Sequence, residues 1–542
     1  MPLTSIVSPN MSRTRQVAKG VVRSTQGVVV AQNRAAAEIG ARVLRDGGSA
    51  IDAAIATSFA IGVLEPWMSG IGGIGGMVVR LPDGTTTAID AGAVSPRALR
   101  VADFPLESGS DGDLFGWPNV VENRNTTGAK AICAPALLAG LAQAHARFGV
   151  RDWASLVMPA VALAQAGAVV DHHTTLLVAT EMRRLLQDPG CRAWFLENGV
   201  PPLAAAAVTG KATRLRTPML AQTLARIARE GAAALYAGPV AQALAEDIRA
   251  AGGYLDERDL AAVAPRVGAA ARLRYRDYTL HMMPELNGAL TVGAAMRHCE
   301  ATLACPARPA YDGCETAGTP DARAVLAYTD ALLAAWAQRF ARMGDGGDRA
   351  MPTCTTHISV VDRDGMMVSL TQTLLSSFGA AWVSPRTGIL MNNGVNWFDP
   401  RADGPNALGA GRRALANFAP AIFSGGDDAI AIGGSGGRKI IPAVFQVLAR
   451  LADFGGELAG AIDGPRVDVS APPLVVADER LDAAILARLG ERHRTVVAPR
   501  VETPNHFTII GAVRRRAGVN EGYTEPHHVW ADAVSEDEVA PD

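Results

Sequence analysis

Thr353-Cys354-Thr355-Thr356-His357-Ile358-Ser359-Val360 is the stretch on which the reading of this chain turns. Two threonines open an apolar, alternating run that reaches Val361. A charged turn follows at Asp362-Arg363-Asp364-Gly365, and a second run returns over 366–373. The pattern predicts a β-hairpin whose first strand opens on a threonine. If the chain is cut just before Thr355, its hydroxyl becomes a nucleophile and its freed α-amine can serve as the base. An α-amine titrates at about 7.7–8.0, so it is partly neutral near physiological pH. Threonines also open ordinary strands, because β-branched residues suit a pleated surface. The hairpin therefore has to be weighed with the rest of the chain.

Immediately upstream, Gly344-Asp345-Gly346-Gly347-Asp348 reads as a flexible connector, which suits a junction whose new end must move away after a cut. Before it, 322–343 reads as an amphipathic helix, and the Pro-, Gly- and Thr-rich stretch 299–320 as a loop. From 135 to about 250 helix formers dominate. Nearer the start, 35–46 and 50–62 read as Ala-rich helices. Gly47-Gly48 stops the first and Ser49 is a candidate N-cap for the second. Residues 77–81 and 85–90 alternate around Pro82-Asp83-Gly84, a hairpin signal. Downstream of the central hairpin strands prevail. A turn at Gly425-Gly426-Asp427-Asp428 leads into 429–433, and a helix is expected over 439–451. There is no internal repeat. Together these describe a layered α/β protein.

At 542 residues and 49% hydrophobic content the chain can bury a large core. A formal charge of −2 gives no reason to expect nucleic acid or an anionic membrane as partner. Cys133, Cys191, Cys299, Cys305, Cys314 and Cys354 show no metal-ligand spacing, so buried thiols are expected and no metal or cofactor. Residues 1–26 carry Arg13, Arg15, Lys19 and Arg23 but lack the apolar core, roughly 7–15 residues, of a secretory signal. No run reaches the roughly 18 apolar residues of a membrane span. These features read as a cytoplasmic chain with a flexible N-terminal extension over 1–26. The acidic stretch 534–542 reads as a loose tail.

Three blocks carry a family resemblance. The first runs from Gly27-Val28-Val29-Val30-Ala31-Gln32-Asn33 through Arg45-Asp46-Gly47-Gly48-Ser49-Ala50-Ile51-Asp52 to Leu64-Glu65-Pro66 and Ser69-Gly70-Ile71-Gly72-Gly73-Ile74-Gly75-Gly76. The second is the Thr355 hairpin through Gly388-Ile389-Leu390-Met391-Asn392-Asn393. The third is Gly433-Gly434-Ser435-Gly436-Gly437-Arg438. In this order and spacing the chain resembles the gamma-glutamyltranspeptidase family of N-terminal-nucleophile hydrolases, including its acylase members. The likeness covers about 27–470.

The resemblance implies the four-layer αββα sandwich of those hydrolases. It implies a precursor that cuts itself between Cys354 and Thr355 into a large subunit, 27–354, and a small subunit, 355–542, and acts on a small-molecule amide. It assigns Thr355 as nucleophile, Thr373 as the hydroxyl that contacts it, and the N–H groups of Gly436 and Gly437 as the oxyanion hole. Asn392-Asn393 would line the pocket. Gly433–Arg438 also looks like a phosphate loop, but Ile440 follows Lys439 where Ser or Thr is required, so nucleotide binding is rejected. His357 should share a strand face with Thr355. The α-amine already supplies a base, so His357 is expected to be structural.

The chain departs from the transpeptidase pattern at the amino-acid end of the substrate. Glutathione-processing relatives grip the α-carboxylate with an arginine in an Asp-Phe-Arg stretch; here that stretch is Asp90-Ala91-Gly92. Two assisting serines are Ala416-Asn417. An aspartate for the α-amine is replaced by Trp397, beside Asn396, and an asparagine after the second hairpin threonine is Leu375. These losses fall on one zwitterionic group, and each charged hydrogen bond removed costs on the order of a few kcal/mol. Arg97, Arg412 or Arg413 could supply a replacement cation for an acyl group that still ends in a carboxylate. Trp397 and Phe418 would make the pocket more apolar. Asn393, Trp397, Arg413 and Asn417 are thus the expected substrate contacts. Glutathione hydrolysis and a non-catalytic role for the fold are the alternatives.

Overall fold

The computed structural model describes residues 4–5, 12, 14–110, 117–205, 210–303, 319–343, 353–401, 404–502 and 505–540. The proposed connector at 344–348 and most of the stretch read as a loop, 304–318, lie outside these.

Among the described residues, fourteen strands build two stacked sheets. In chain order they are β1 (Val22–Ser24), β2 (Val28–Ala31), β3 (Ile74–Arg80), β4 (Thr86–Ala91), β5 (Arg266–Ala269), β6 (Ala271–Tyr275) and β7 (Tyr278–Met282). The central hairpin is β8 (Thr353–Val361) and β9 (Met367–Ser376). Then come β10 (Ala421–Gly425), β11 (Asp428–Ser435), β12 (Ile509–Arg516), β13 (Val519–Thr524) and β14 (Asp532–Ser535). The first sheet has the order β5-β4-β3-β9-β8-β2-β14 and the second β6-β7-β10-β11-β12-β13-β1. Every pairing within both sheets is antiparallel.

Strand alternation sorts the hairpin's side chains between two layers. Ile358 and Val360 face outward into an apolar cluster with the helices Arg34–Arg45 (α1) and Ala50–Leu64 (α2). Val361 and Met367 face inward and pack with Val28, Val30, Ala431 and Val513 of both sheets. A third cluster packs the far side of the second sheet against helices Ala289–Thr302, Ala322–Met343 and Ile440–Phe454. Helix, sheet, sheet, helix is the αββα sandwich expected from the sequence.

The hairpin and α2 hold each other in place. Fourteen of the fifteen residues of α2 are buried, as suits a helix apolar on all sides. Ser49 caps it through a box with Asp52, and Asp362 in the hairpin turn accepts a further hydrogen bond from the Ala50 amide at 3.0 Å. The helices read at 35–46, 50–62 and 322–343, and the hairpins at 77–90 and 425–428, are all present.

Three expectations need correction. Cys299 belongs to a helix, not a loop: it is fully buried there with Ala295 and Met296 against the second sheet. Residues 534–535 are no loose tail. Val534 is fully buried, and β14 pairs with β2 along the edge of the first sheet. Nor is all of 1–26 an extension, since Val22–Ser24 pairs with β13 and Lys19 Nζ donates to the His528 carbonyl at 2.6 Å.

Candidate active site

Between the sheets the central layer changes character along β8. Above the apolar Val361–Met367 row, Ser359 donates to the Ala431 carbonyl (3.1 Å) and Ser369 to the Ile432 carbonyl (2.8 Å). One row higher His357 bonds Thr371 Oγ1 (2.9 Å) and Ser359 Oγ (2.8 Å). Gly433 makes the room, because a Cβ there would lie 2.4 Å from the imidazole. Burial pushes His357 down to about 3, so it is neutral at physiological pH. Its hydrogen bonds stay within the first sheet while its ring packs against Gly433 of the second, and as paired here it does not bond Thr355.

The next row holds Thr355 and Thr373. Thr355 Oγ1 donates to Thr373 Oγ1 at 3.5 Å. Thr373 Oγ1 also accepts from the Leu375 amide at 2.8 Å. That second bond needs a local distortion. The β8–β9 register shifts between Cys354 and Thr356, leaving two residues of β9 opposite one of β8, and Leu375 takes φ +87°. The Cys354–Thr355 peptide lies inside β8 in the continuous chain, with Thr353 and Cys354 paired to Ser376 and Leu375. From the second sheet Ser435 Oγ donates to the Thr355 carbonyl. Gly436 (φ +137°) and Gly437 (φ +58°) follow, in conformations that favour glycine, and begin a tight turn into the helix at Ile440. Thr355, Thr373 and the glycine pair thus meet at one end of the central layer.

The other expected contacts divide. Asn392 and Asn393 are buried and their amides are used internally. Asn392 bonds Gly72, Cys133 and Gly394, and Asn393 bonds Thr126 and Ser376. They brace the loop beside Thr373 and have no donor left to aim at a substrate. Trp397 stacks edge-on to Phe418 at 6.0 Å. Asn417 Oδ1 accepts from Arg339 (2.8 Å), whose guanidinium burial holds down at about 9; the Asn417 Nδ2 is buried with no partner among the described residues.

Of the three candidate cations, Arg97 pairs with Asp259 (3.0 Å) and Arg412 turns to the Ala407 carbonyl (3.2 Å). Arg413 stands at Gly92: a Cβ on Gly92 would be 3.3 Å from Arg413 Nη2. Its guanidinium pairs with Asp90, while its Nε is buried with no partner among the described residues. Burial raises the Asp90 pKa against the pull of Arg413. Both line a cavity of about 230 Å³ with Gly92, Ser95 and Ala136.

Sequence reasoning passed over Ser435, although it is the one polar side chain in the Gly433–Gly437 string. It also gave no role to Gln32 and Glu65, although both stand in the first block of the family resemblance. Gln32 has a buried amide with no partner among the described residues. Glu65 is buried, accepts one bond from Asn33 (3.1 Å), and is raised to about 8 by burial. The folded protein therefore holds the Glu65 proton more tightly than the unfolded chain. Its contribution to stability is full below about pH 4.5 and is lost as pH rises through about 8, each tenfold difference in proton affinity being worth about 1.4 kcal/mol. Glu65→Gln should match the parent near pH 4.5 and exceed it by a few kcal/mol near pH 8.5, read as urea midpoints. Parallel pH profiles for the two proteins would refute this.

Among the described residues no cluster of His, Cys, Asp and Glu could hold a metal ion, and no helix is long and apolar enough to cross a membrane. The chain is similar to known proteins along most of its length. Acylase ACY 1 proenzyme of Pseudomonas sp. (strain V22) is 32% identical over 511 residues, 88% of this chain and 88% of that one. Glutathione hydrolase proenzyme of Pseudomonas sp. (strain A14) is 29% identical over 504 residues, 86% and 85% of the two chains. The crystal structure of cephalosporin acylase from Bacillus halodurans shares the fold with a TM-score of 0.82 at 23% identity, covering 97% of this chain and 99% of that one. The sequence model for gamma-glutamyltranspeptidase matches residues 36–354 and 347–535. By sequence, coverage and fold, the chain belongs to the gamma-glutamyltranspeptidase family.

Proposed function

We propose that this protein is a proenzyme that cuts itself before Thr355 and then hydrolyses a small acyl amide through an ester on that residue. The observation that carries the reading is the contact of Thr355 with both Thr373 and Ser435 at the end of the central layer. In the first step the Thr355 hydroxyl attacks the Cys354 carbonyl carbon. The C–N bond breaks, the Thr355 nitrogen leaves as an amine, and water resolves the resulting ester. This yields a Cys354 carboxylate and a threonine with a free hydroxyl and α-amine. In turnover the α-amine takes the hydroxyl proton as the oxygen attacks the substrate carbonyl, and returns it to the departing amine. The N–H groups of Gly436 and Gly437 hold the developing oxyanion. Water then releases the acid.

Arg413 is the group that selects the acyl part. Gly92 follows β4, and β4 lies three strand spacings from β8, about 14 Å at 4.7–4.9 Å each. A carboxylate held by Arg413 therefore belongs at the far end of a chain several atoms long, with Trp397 and Phe418 against its methylenes. Glutaryl-type amides fit this spacing and oxalyl-type amides fall short. The first relative is named an acylase proenzyme, which agrees with this choice; the second, a glutathione hydrolase proenzyme, keeps glutathione as the comparison substrate.

The test has two parts. On a denaturing gel the purified protein should give pieces of 354 and 542 − 354 = 188 residues, the smaller beginning Thr-Thr-His-Ile-Ser. A fully active single chain would refute self-cleavage. The processed enzyme is then offered glutaryl, oxalyl and glutathione amides, and kcat/KM should fall in that order. A tenfold preference for glutathione, about 1.4 kcal/mol, would refute the acyl-group assignment.

A further inference from the structure

Thr508 has three features that its position in the chain does not explain. It precedes β12, and its φ of +81° is a left-handed value that a β-branched residue rarely takes. Its hydroxyl oxygen is buried and has no hydrogen-bond partner among the described residues. And it faces Gly436. Ser435 is in register with Ile509, so Thr508 falls opposite Gly436, and a Cβ on Gly436 would lie 2.7 Å from Thr508 Oγ1. The hydroxyl occupies the space where a Gly436 side chain would begin.

The backbone there is fixed from outside. Asn505 Oδ1 accepts from the amides of both Phe507 (3.1 Å) and Thr508 (3.0 Å). Glycine or asparagine would meet this φ with less strain, yet a threonine is present. A strained residue carrying an unpaired buried hydroxyl beside two positive-φ glycines is better explained by what the hydroxyl does than by packing.

We propose that Thr508 is a further catalytic residue, whose hydroxyl donates a third hydrogen bond to the oxyanion formed at Gly436 and Gly437. This rests on those glycines being the oxyanion donors. In the resting protein the hydroxyl is desolvated and uncommitted, so it need break no bond when negative charge appears. A donor of that kind acts on the transition state more than on the bound substrate. It should lower the barrier both for self-cleavage, where the charge develops on the Cys354 oxygen, and for acyl transfer from substrate.

The variants are Thr508→Val, which keeps the shape, Thr508→Gly, which relaxes the backbone, and Thr508→Ser, which keeps the hydroxyl. Each is assayed for self-cleavage rate, kcat, KM and Tm beside Gly436→Ala. The Val and Gly forms should lose about 100-fold in kcat with KM within twofold, and should cut themselves correspondingly slowly. Thr508→Ser should stay within fivefold of the parent. The Gly form should keep or raise Tm, separating activity from stability. Should the Val form fail to fold, the Gly and Ser forms decide. Parental kcat in Thr508→Gly, or an equal loss in Thr508→Ser, overturns the proposal. If Gly436→Ala is inactive while Thr508→Gly is active, only the Thr508 assignment falls. If both are active, the Thr508 assignment falls while the oxyanion reading stands, since alanine keeps the Gly436 N–H.

Discussion

Thr355→Ala should remain a single 542-residue chain and show no measurable amide hydrolysis, a loss of at least about 10⁴-fold in kcat. Two functions are removed at once, because one oxygen is assigned both to the cut and to turnover. They can be separated by co-expressing 1–354 with 355–542 so that position 355 starts its own chain. In that format the alanine form should still assemble, since its main-chain carbonyl still accepts from Ser435 and the β8–β9 pairing from Thr356 onward is untouched. It should remain inactive. Thr355→Ser keeps a hydroxyl and should retain some of both activities. An active co-expressed alanine form would remove Thr355 from the mechanism altogether.

Arg413→Met should lower kcat/KM for glutaryl amides by about 10- to 100-fold, the value of one charge-assisted hydrogen bond of roughly 1.5–3 kcal/mol. Uncharged amides of the same length should change by less than threefold. The single substitution leaves the Asp90 carboxylate buried beside a thioether, and stranding one partner of a buried pair typically costs about 3–5 kcal/mol of stability. Asp90→Asn with Arg413→Met avoids that stranded charge. It should recover Tm while keeping the loss of selectivity. An unchanged ratio of charged to uncharged substrates in the double variant would place the carboxylate elsewhere. Arg97 is then the next residue to test, since it borders the same cavity.

What the sequence revealed follows the range of the forces involved. The central hairpin, the capped helix after Ser49 and the long helix over 322–343 depend on neighbours a few residues away, and they stand where periodicity and capping residues put them. The two ends of the chain were misread for the opposite reason. Val22–Ser24 and Asp532–Ser535 are short and mixed in composition, and each finds its partner on a strand from another part of the chain. Nothing local announces such a pairing. The candidate site shows the same division. The row of Thr355 with Thr373 needs only strand alternation and a hairpin register. That Arg413 fills the space beside Gly92, and that the amides of Asn392 and Asn393 are consumed by carbonyls of Gly72, Cys133 and Thr126, depends on loops brought together across more than 250 residues.

The strand order of the first sheet fixes what a cut at 354 would leave behind. Read across, β5, β4 and β3 precede the cut, β9 and all of β8 but Thr353 and Cys354 follow it, β2 precedes it and β14 follows it. The second sheet is mixed in the same way, with β1, β6 and β7 from before the cut and β10 to β13 from after it. The two pieces are braided, and neither owns a sheet. They have no separable interface, so dissociation and unfolding are a single event and no dilution short of denaturation should part them. The same braid makes the process one-way. Before the cut, refolding is a first-order search by one tethered chain. Afterwards two chains, with the five strand pairings between them in these two sheets undone, must meet in solution with bare strand edges exposed to aggregation. The mature protein's lifetime is then governed by how fast it first opens, a kinetic rather than an equilibrium durability.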